Sequence, residues 1–216
     1  MHLLAVSVGQ PQVVTWRGTS VETGIFKAPV AEPVMVRTLN LDGDRQADLT
    51  VHGGAAKAVY AYPSEHYAYW RSALPELSFG WGSFGENLTT AGLDEDLVYI
   101  GDQLRVGQAE LVVTQPRLPC VKLGVRFGRP DMVRRFLASR RTGFYLAVQR
   151  EGPVAAGDPI TVIARDAHAV RVADVTRVYA FEPEDQDTMR RIIAVPALPE
   201  GWRTHFTAQL AALAGA

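Results

Sequence analysis

What most constrains the fold of this chain is a succession of short apolar runs, alternating or β-branched, cut by Gly, Pro and Asp. They recur at 3–8, 34–39, 58–62, 97–100, 109–114, 144–148 and 160–163. Alternation with a period of two sends successive side chains to opposite faces of a strand. Asp42-Gly43-Asp44 and Gly152-Pro153 are among the turn signals between the runs. Many short strands so separated predict a β-barrel-like or strongly bent sheet, in a chain that is mainly β with some α.

Two helices interrupt the strands. One begins near Pro63-Ser64-Glu65 and sets Tyr67, Trp70 and Leu74 on one face. The other begins at Pro130-Asp131, where proline suits the first helical position and aspartate complements the dipole. Beyond His168 the texture changes, and 172–181, 184–195 and 201–213 read as helices divided by Pro183 and by Pro196 to Pro199. The expected organisation is a β-rich domain over 1–166 and a three-helix appendage over 167–216.

Composition excludes several functions. A formal net charge of −1 lacks the broad basic field that binding to a phosphate backbone needs, so no nucleic-acid partner is expected. No run approaches the roughly 20 apolar residues that span a bilayer, so no membrane partner is expected either. The opening residues lack a basic n-region and end at Gly9-Gln10-Pro11, as a first strand does and a signal peptide does not. Cys120 is the one cysteine, so no internal disulfide can form, and the cytoplasm is the default location. A homodimer is the default assembly on frequency alone.

Gln115-Pro116-Arg117-Leu118-Pro119-Cys120-Val121-Lys122 is the most informative segment. Each proline fixes its own φ and biases the residue before it toward extended geometry, so the loop is stiff. If the chain stays extended through Val121, Cys120 and Lys122 share a face. Arg117 and Lys122 flank the cysteine, and neighbouring cations favour a thiolate. The plainer alternative is a small buried hydrophobe, the usual state of a lone cysteine.

Two further segments offer ligand-binding backbone. In His52-Gly53-Gly54-Ala55-Ala56-Lys57 the paired glycines permit close approach and an anion nest, with Lys57 adding charge; a plain turn is the local alternative. Gly80-Trp81-Gly82-Ser83-Phe84-Gly85 matches a dinucleotide fingerprint literally, but lacks a parallel-strand setting and the residues after it do not open a helix. Glu86 and Asn87 read better as polar groups for a ligand or as turn residues. The 42–53 run fails as a calcium loop because Ala47 stands where glycine is needed. Scattered histidines and one cysteine provide no zinc spacing.

In order along the chain, Gly43-Asp44 with Gln46-Ala47-Asp48, His52-Gly53-Gly54 with Lys57-Ala58, Tyr62-Pro63 with Glu65-His66-Tyr67 and Trp70, Phe84-Gly85-Glu86-Asn87-Leu88, Gly101-Asp102, and Gln115-Pro116-Arg117 with Pro119-Cys120 and Lys122-Leu123 carry a resemblance. The chain resembles the MOSC family, named for the C-terminal domain of molybdenum cofactor sulfurase, and in particular its YiiM-like branch, which closes in three helices. The resemblance covers nearly the whole chain. It implies a β-barrel-like domain binding molybdenum cofactor (molybdopterin), with Cys120 as the metal ligand. It makes Arg117 and Lys122 candidates for the cofactor phosphate or pterin, and His52, Lys57, Asn87, Gln115, Gly53 and Gly54 the next residues around the site, His52 with a catalytic part. Pyridoxal phosphate binding is a further family-level expectation. The implied reaction removes oxygen from an N-hydroxylated small molecule such as a hydroxylaminopurine. With no flavin, haem or iron–sulfur motif in the chain, a separate electron-donating reductase is the implied partner. The competing reading is a binding module that carries sulfur as a persulfide on Cys120, or hands on cofactor, without turnover.

Overall fold

The structure is a computed structural model that describes residues 1–47 and 53–215. The chain enters through strand β1 (His2–Val8) and a hairpin of β2 (Gln12–Trp16) and β3 (Thr19–Thr23), then β4 (Ala28–Val30) and β5 (Val34–Val36). Next come β6 (Val59–Pro63), helix α1 (Glu65–Ala73), β7 (Leu88–Ala91), β8 (Gln103–Val106) and β9 (Ala109–Pro116). Two short helices, α2 (Val121–Phe127) and α3 (Met132–Ala138), lead to β10 (Phe144–Arg150), β11 (Gly152–Val154) and β12 (Ile160–Ala164). Helices α4 (Val172–Ala180), α5 (Gln186–Ala194) and α6 (Glu200–Ala214) close the chain.

Eight strands form one sheet in the order β12-β8-β9-β10-β6-β7-β1-β4. Its neighbours are antiparallel except β6 and β7, which run parallel across α1. Register shifts between Leu3 and Ala5, at two places in β10, and between Val162 and Ala164 bend the sheet, because an extra residue raises local twist. The bend brings β1 round to the residues before β12: the Leu3 amide donates to the Asp158 carbonyl at 2.9 Å, and the Ile160 amide to the Met1 carbonyl at 3.0 Å. The sheet is therefore strongly curled and barrel-like, but among the described residues its strands do not close into a barrel.

β6 lies in the middle of the sheet and is buried on both faces. Val59 and Ala61 join the larger core, which also takes Val175, Val178, Met189, Ile192, Trp202 and Phe206 from the last three helices. Tyr60 and Tyr62 point the other way into an aromatic cluster with Tyr67, Trp70, Phe84 and Phe136. Burial of this many large rings is the main favourable contribution on that face.

The sequence expectation fails at three places. Residues 97–100 form turns rather than a strand; Val98 and Ile100 are buried because the Val98 carbonyl and the Ile100 amide bond to the chain entering α4. The chain does not stay extended after Cys120: α2 starts at Val121 and stops at Gly128, whose φ of 66° supplies a left-handed cap. A parallel setting does exist around residues 80–85. However, the glycines lead into β7 instead of out of a strand into a helix, so the dinucleotide geometry is still absent. Gly82 and Gly85 serve packing instead. Both have positive φ, and a Cβ would lie 2.9 Å from the Lys27 carbonyl oxygen at Gly82 and 2.8 Å from Ile25 Cγ1 at Gly85.

Candidate functional site

β9 ends at Pro116 beside β10, and the chain then turns through Arg117 and Pro119 to Cys120, the N-cap of α2. Cys120 is half-buried in the wall of a cleft. Arg117, Lys122, Lys57, Asn87 and Gly53 line the same cleft, so the structure gathers most of the residues singled out from sequence. The cleft is narrow, enclosing about 90 Å³, and opens to solvent.

Arg117 is turned inward and 6% exposed. Its backbone amide donates to the Gly143 carbonyl at 3.2 Å, and Nη1 donates to the Phe84 carbonyl. The guanidinium lies 4.6 Å from the centre of the Tyr60 ring and 5.5 Å from that of Phe136, cation–π geometry on a desolvated group. Burial alone works against its charge, but Tyr60, Tyr145 and Cys120 outweigh that and hold the guanidinium well above its usual range. Tyr60 is pushed up chiefly by burial, as is Tyr145. Both phenols therefore stay neutral, and the Tyr60 hydroxyl is already used, donating to the Thr142 carbonyl at 2.7 Å.

Lys27 also lines the cleft, and its charge is met by a carboxylate buried beneath the lining. Lys27 Nζ pairs with Asp44, with side chains 8% and 0% exposed. The carboxylate also accepts from the Gly9 amide and from Asn87 Nδ2, each at 2.9 Å. Burial is the largest influence on Lys27 and lowers its pKa; Asp44 opposes it without fully cancelling it. Asn87 is spent on structure as well: its Oδ1 accepts from the Tyr60 amide at 3.1 Å, and Nδ2 also donates to the Ser7 carbonyl at 3.3 Å. Its part in the cleft is to position Asp44 and Tyr60.

Gln115 and Gly54 are not on this wall; they line a neighbouring cleft. The Gln115 amide is occupied, with Oε1 accepting from Trp202 Nε1 at 2.6 Å and Nε2 donating to the Ala56 carbonyl at 3.3 Å. Glu86 does not line the cleft either; it accepts from the Gly82 and Phe84 amides, Tyr67 and Thr89 beneath the surface. His52 lies outside the described residues. Lys27, Arg45, Tyr60 and Tyr145 are cleft residues that sequence reasoning missed. The two tyrosines had a signal: they pair directly across β6 and β10 and so share a face. Lys27 and Arg45 had none, because only the folded 24–27 and 44–47 segments bring them in.

The lining therefore presents one thiol and five cations, Lys27, Arg45, Lys57, Arg117 and Lys122, with no carboxylate among the described residues. Such a surface suits a ligand with anionic groups. Among the described residues no cluster of three His, Cys, Asp or Glu could hold a metal. Cys120 offers a metal one soft ligand, and a sulfur-chelating cofactor would bring others with it. The donor set fits molybdenum cofactor on both counts: a soft sulfur for the metal and cations for phosphate.

Comparison with known proteins agrees with this geometry. Residues 48–161 match the MOSC domain model, and residues 172–213 match the YiiM-like 3-alpha helix domain. YflK of Bacillus subtilis (strain 168) is 40% identical over 94% of this chain and 92% of its own. The crystal structure of YiiM from Geobacillus stearothermophilus superposes with a TM-score of 0.81 at 34% identity, covering 97% of this chain and 98% of that one. A protein named reductase from Gibberella moniliformis (strain M3125 / FGSC 7600) is 33% identical over 74% of this chain but only 29% of its own length. Among the described residues no helix is long and apolar enough to cross a membrane. With both models matched in order and the fold shared along nearly its whole length, the chain belongs to the MOSC family, in its YiiM-like branch.

Proposed function

We propose that this protein binds molybdenum cofactor, with Cys120 as the ligand it contributes to the metal, and reduces N-hydroxylated compounds to the corresponding amines. The observation that carries the reading is the single thiol set among five cations with no carboxylate beside it in the described lining. When bound, the cofactor supplies the redox chemistry that takes the oxygen from the N–O bond. The chain's own residues do the rest. Arg117, fixed by Phe84 and the Tyr60 ring, and Lys122, the second residue of α2, hold anionic groups of the cofactor. Lys57 closes the side toward the neighbouring cleft and can give a proton at Nζ to the departing oxygen.

Converting a hydroxylamine to an amine and water consumes two electrons and two protons. The electrons come, in this reading, from a separate reductase. The Gibberella protein named reductase supports that division, because most of its length has no counterpart in this chain. The test is to express the protein in a host that makes the cofactor, with Cys120→Ser alongside, and to measure molybdenum and pterin per chain. Near-stoichiometric metal that disappears in the variant, together with reduction of a hydroxylaminopurine once a reductase is added, is the expected result. Absence of metal and pterin from both proteins, in a host shown to supply them, rejects the reading. Labile sulfane sulfur on Cys120 would then identify a sulfur carrier instead.

A further inference from the structure

A second cleft adjoins the first. It opens between residues 53–57, the chain just after β9, and helices α4 and α6, and encloses about 520 Å³. That is within the size range of small-molecule sites, which favour junctions of this kind. Gly53 and Lys57 line both clefts, so the two meet at the Lys57 side chain.

The walls of this second cleft are suited to a flat ring. Tyr179 and Trp202 lie edge to face with centroids 5.1 Å apart, and the His205 ring lies 5.1 Å from Tyr179. Trp202 cannot swing away, because its indole N–H is held by Gln115. His205 is exposed and makes ring contacts but no hydrogen bond among the described residues, which leaves its nitrogens for a ligand. On the opposite side Gly54 leaves bare backbone, where a Cβ would meet nothing within 4 Å. Stacking surface plus an imidazole able to donate and accept is what recognises a planar nitrogen heterocycle.

We infer that this second cleft seats the ring of the substrate, a planar nitrogen heterocycle of purine size, stacked against Tyr179 and His205. The N-hydroxylated substituent then points past Lys57 toward Cys120. The direction of that substituent rests on the reading of Cys120 given above; the seat of the ring rests on the cleft itself.

Two measurements separate those claims. First, 6-hydroxylaminopurine is titrated calorimetrically into protein made in a host without the cofactor, comparing wild type, His205→Ala and Tyr179→Ala. Each variant should bind about tenfold more weakly, the loss expected for one stacking partner. His205 is exposed, so its variant keeps the result readable if Tyr179→Ala folds poorly. Second, in cofactor-loaded protein the kcat/KM ratio for 6-hydroxylaminopurine over ring-free N-hydroxyurea should fall about tenfold in His205→Ala, with molybdenum per chain unchanged. If wild type does not bind the purine, or His205→Ala binds it equally well, the inference is overturned. If purine binding depends on His205 but no metal loads, the cleft stands and the reductase reading falls.

Discussion

The indole Nε1 of Trp202, on the last helix, donates to Oε1 of Gln115 at 2.6 Å, near the end of the strand that leads to Cys120. Both side chains are buried, and Gln115 also ties to the Ala56 carbonyl, where Thr114 Oγ1 donates at 2.6 Å. The C-terminal helices are thus latched to the strand that positions the site. Trp202→Phe keeps the ring but leaves the Gln115 carbonyl buried without its donor, a loss of about 1–3 kcal/mol. Urea denaturation should show that loss, and Gln115→Met in the same background should recover part of it. Unchanged stability in Trp202→Phe would mean that the latch contributes nothing.

The Lys27–Asp44 pair gives a prediction with a pH signature. Removing the cation in Lys27→Met strands a carboxylate that is 0% exposed, which costs about 3–5 kcal/mol, and adding Asp44→Asn should restore much of it. Burial holds the Lys27 ammonium below its ordinary value of 10.5. Between the lowered folded value and 10.5 the unfolded chain binds more protons than the folded one, so stability attributable to this group rises with pH. Denaturation of wild type and the double variant from neutral pH toward 10.5 should differ by that rise. Parallel curves would contradict it.

Much of the architecture was legible because it rests on local periodicity. The three C-terminal helices were expected at 172–181, 184–195 and 201–213 and run 172–180, 186–194 and 200–214, since their apolar stripes and the prolines between them are strong signals. Helix α2 was missed because seven residues with a glycine inside show no periodicity, and its stop depends on the left-handed Gly128. The β2–β3 hairpin was missed because its Val13 is exposed and pairs with nothing that a hydrophobic pattern would reveal. At the site, Arg117, Cys120 and Lys122 were visible as a stiff basic loop. The adjacent Gln115 misled, because the partner that claims its amide is Trp202, far along the chain.

The sequence leaves Glu86 as either a ligand group or a turn residue, and the structure uses it to knot the 82–86 turn. Its Oε1 accepts from Tyr67, the Gly82 amide at 2.7 Å and Thr89 at 3.0 Å, while Oε2 accepts from the Phe84 amide at 3.0 Å. Glu86→Gln can keep the first three, but sets an NH₂ against the Phe84 N–H, at a cost of about 1–3 kcal/mol. Burial raises this carboxyl above its ordinary value of 4.5. The folded chain therefore binds more protons than the unfolded one just above pH 4.5, and the stability from this group falls as pH rises through that window. Thermal melts of Glu86→Gln should lack that fall; a wild-type profile in the variant would exclude Glu86 as its source.

Glu95 offers the most direct test of how the Cys120 cleft is held from behind, because it does not line that cleft. Its Oε1 accepts from the Gly143 amide at 2.6 Å, and Oε2 meets His66 Nε2 at 2.6 Å. The turn it grips supplies the Thr142 carbonyl that holds the Tyr60 hydroxyl, and the Gly143 carbonyl that holds the Arg117 amide. Gly143 has little room to adjust, since a Cβ there would lie 2.4 Å from the Ala61 carbonyl oxygen. Glu95→Ala leaves the Gly143 N–H buried without an acceptor and should cost about 1–3 kcal/mol, loosening Arg117 and Tyr60 together. Glu95→Gln keeps an oxygen for Gly143 and a polar group against the His66 ring, so it should stay close to wild type. A purely structural role would lower the melting temperature alone. A positioning role should also lower molybdenum retained per chain at temperatures where Glu95→Ala is fully folded, with Glu95→Gln restoring it, because Arg117 reaches the cleft only from the backbone that this turn fixes.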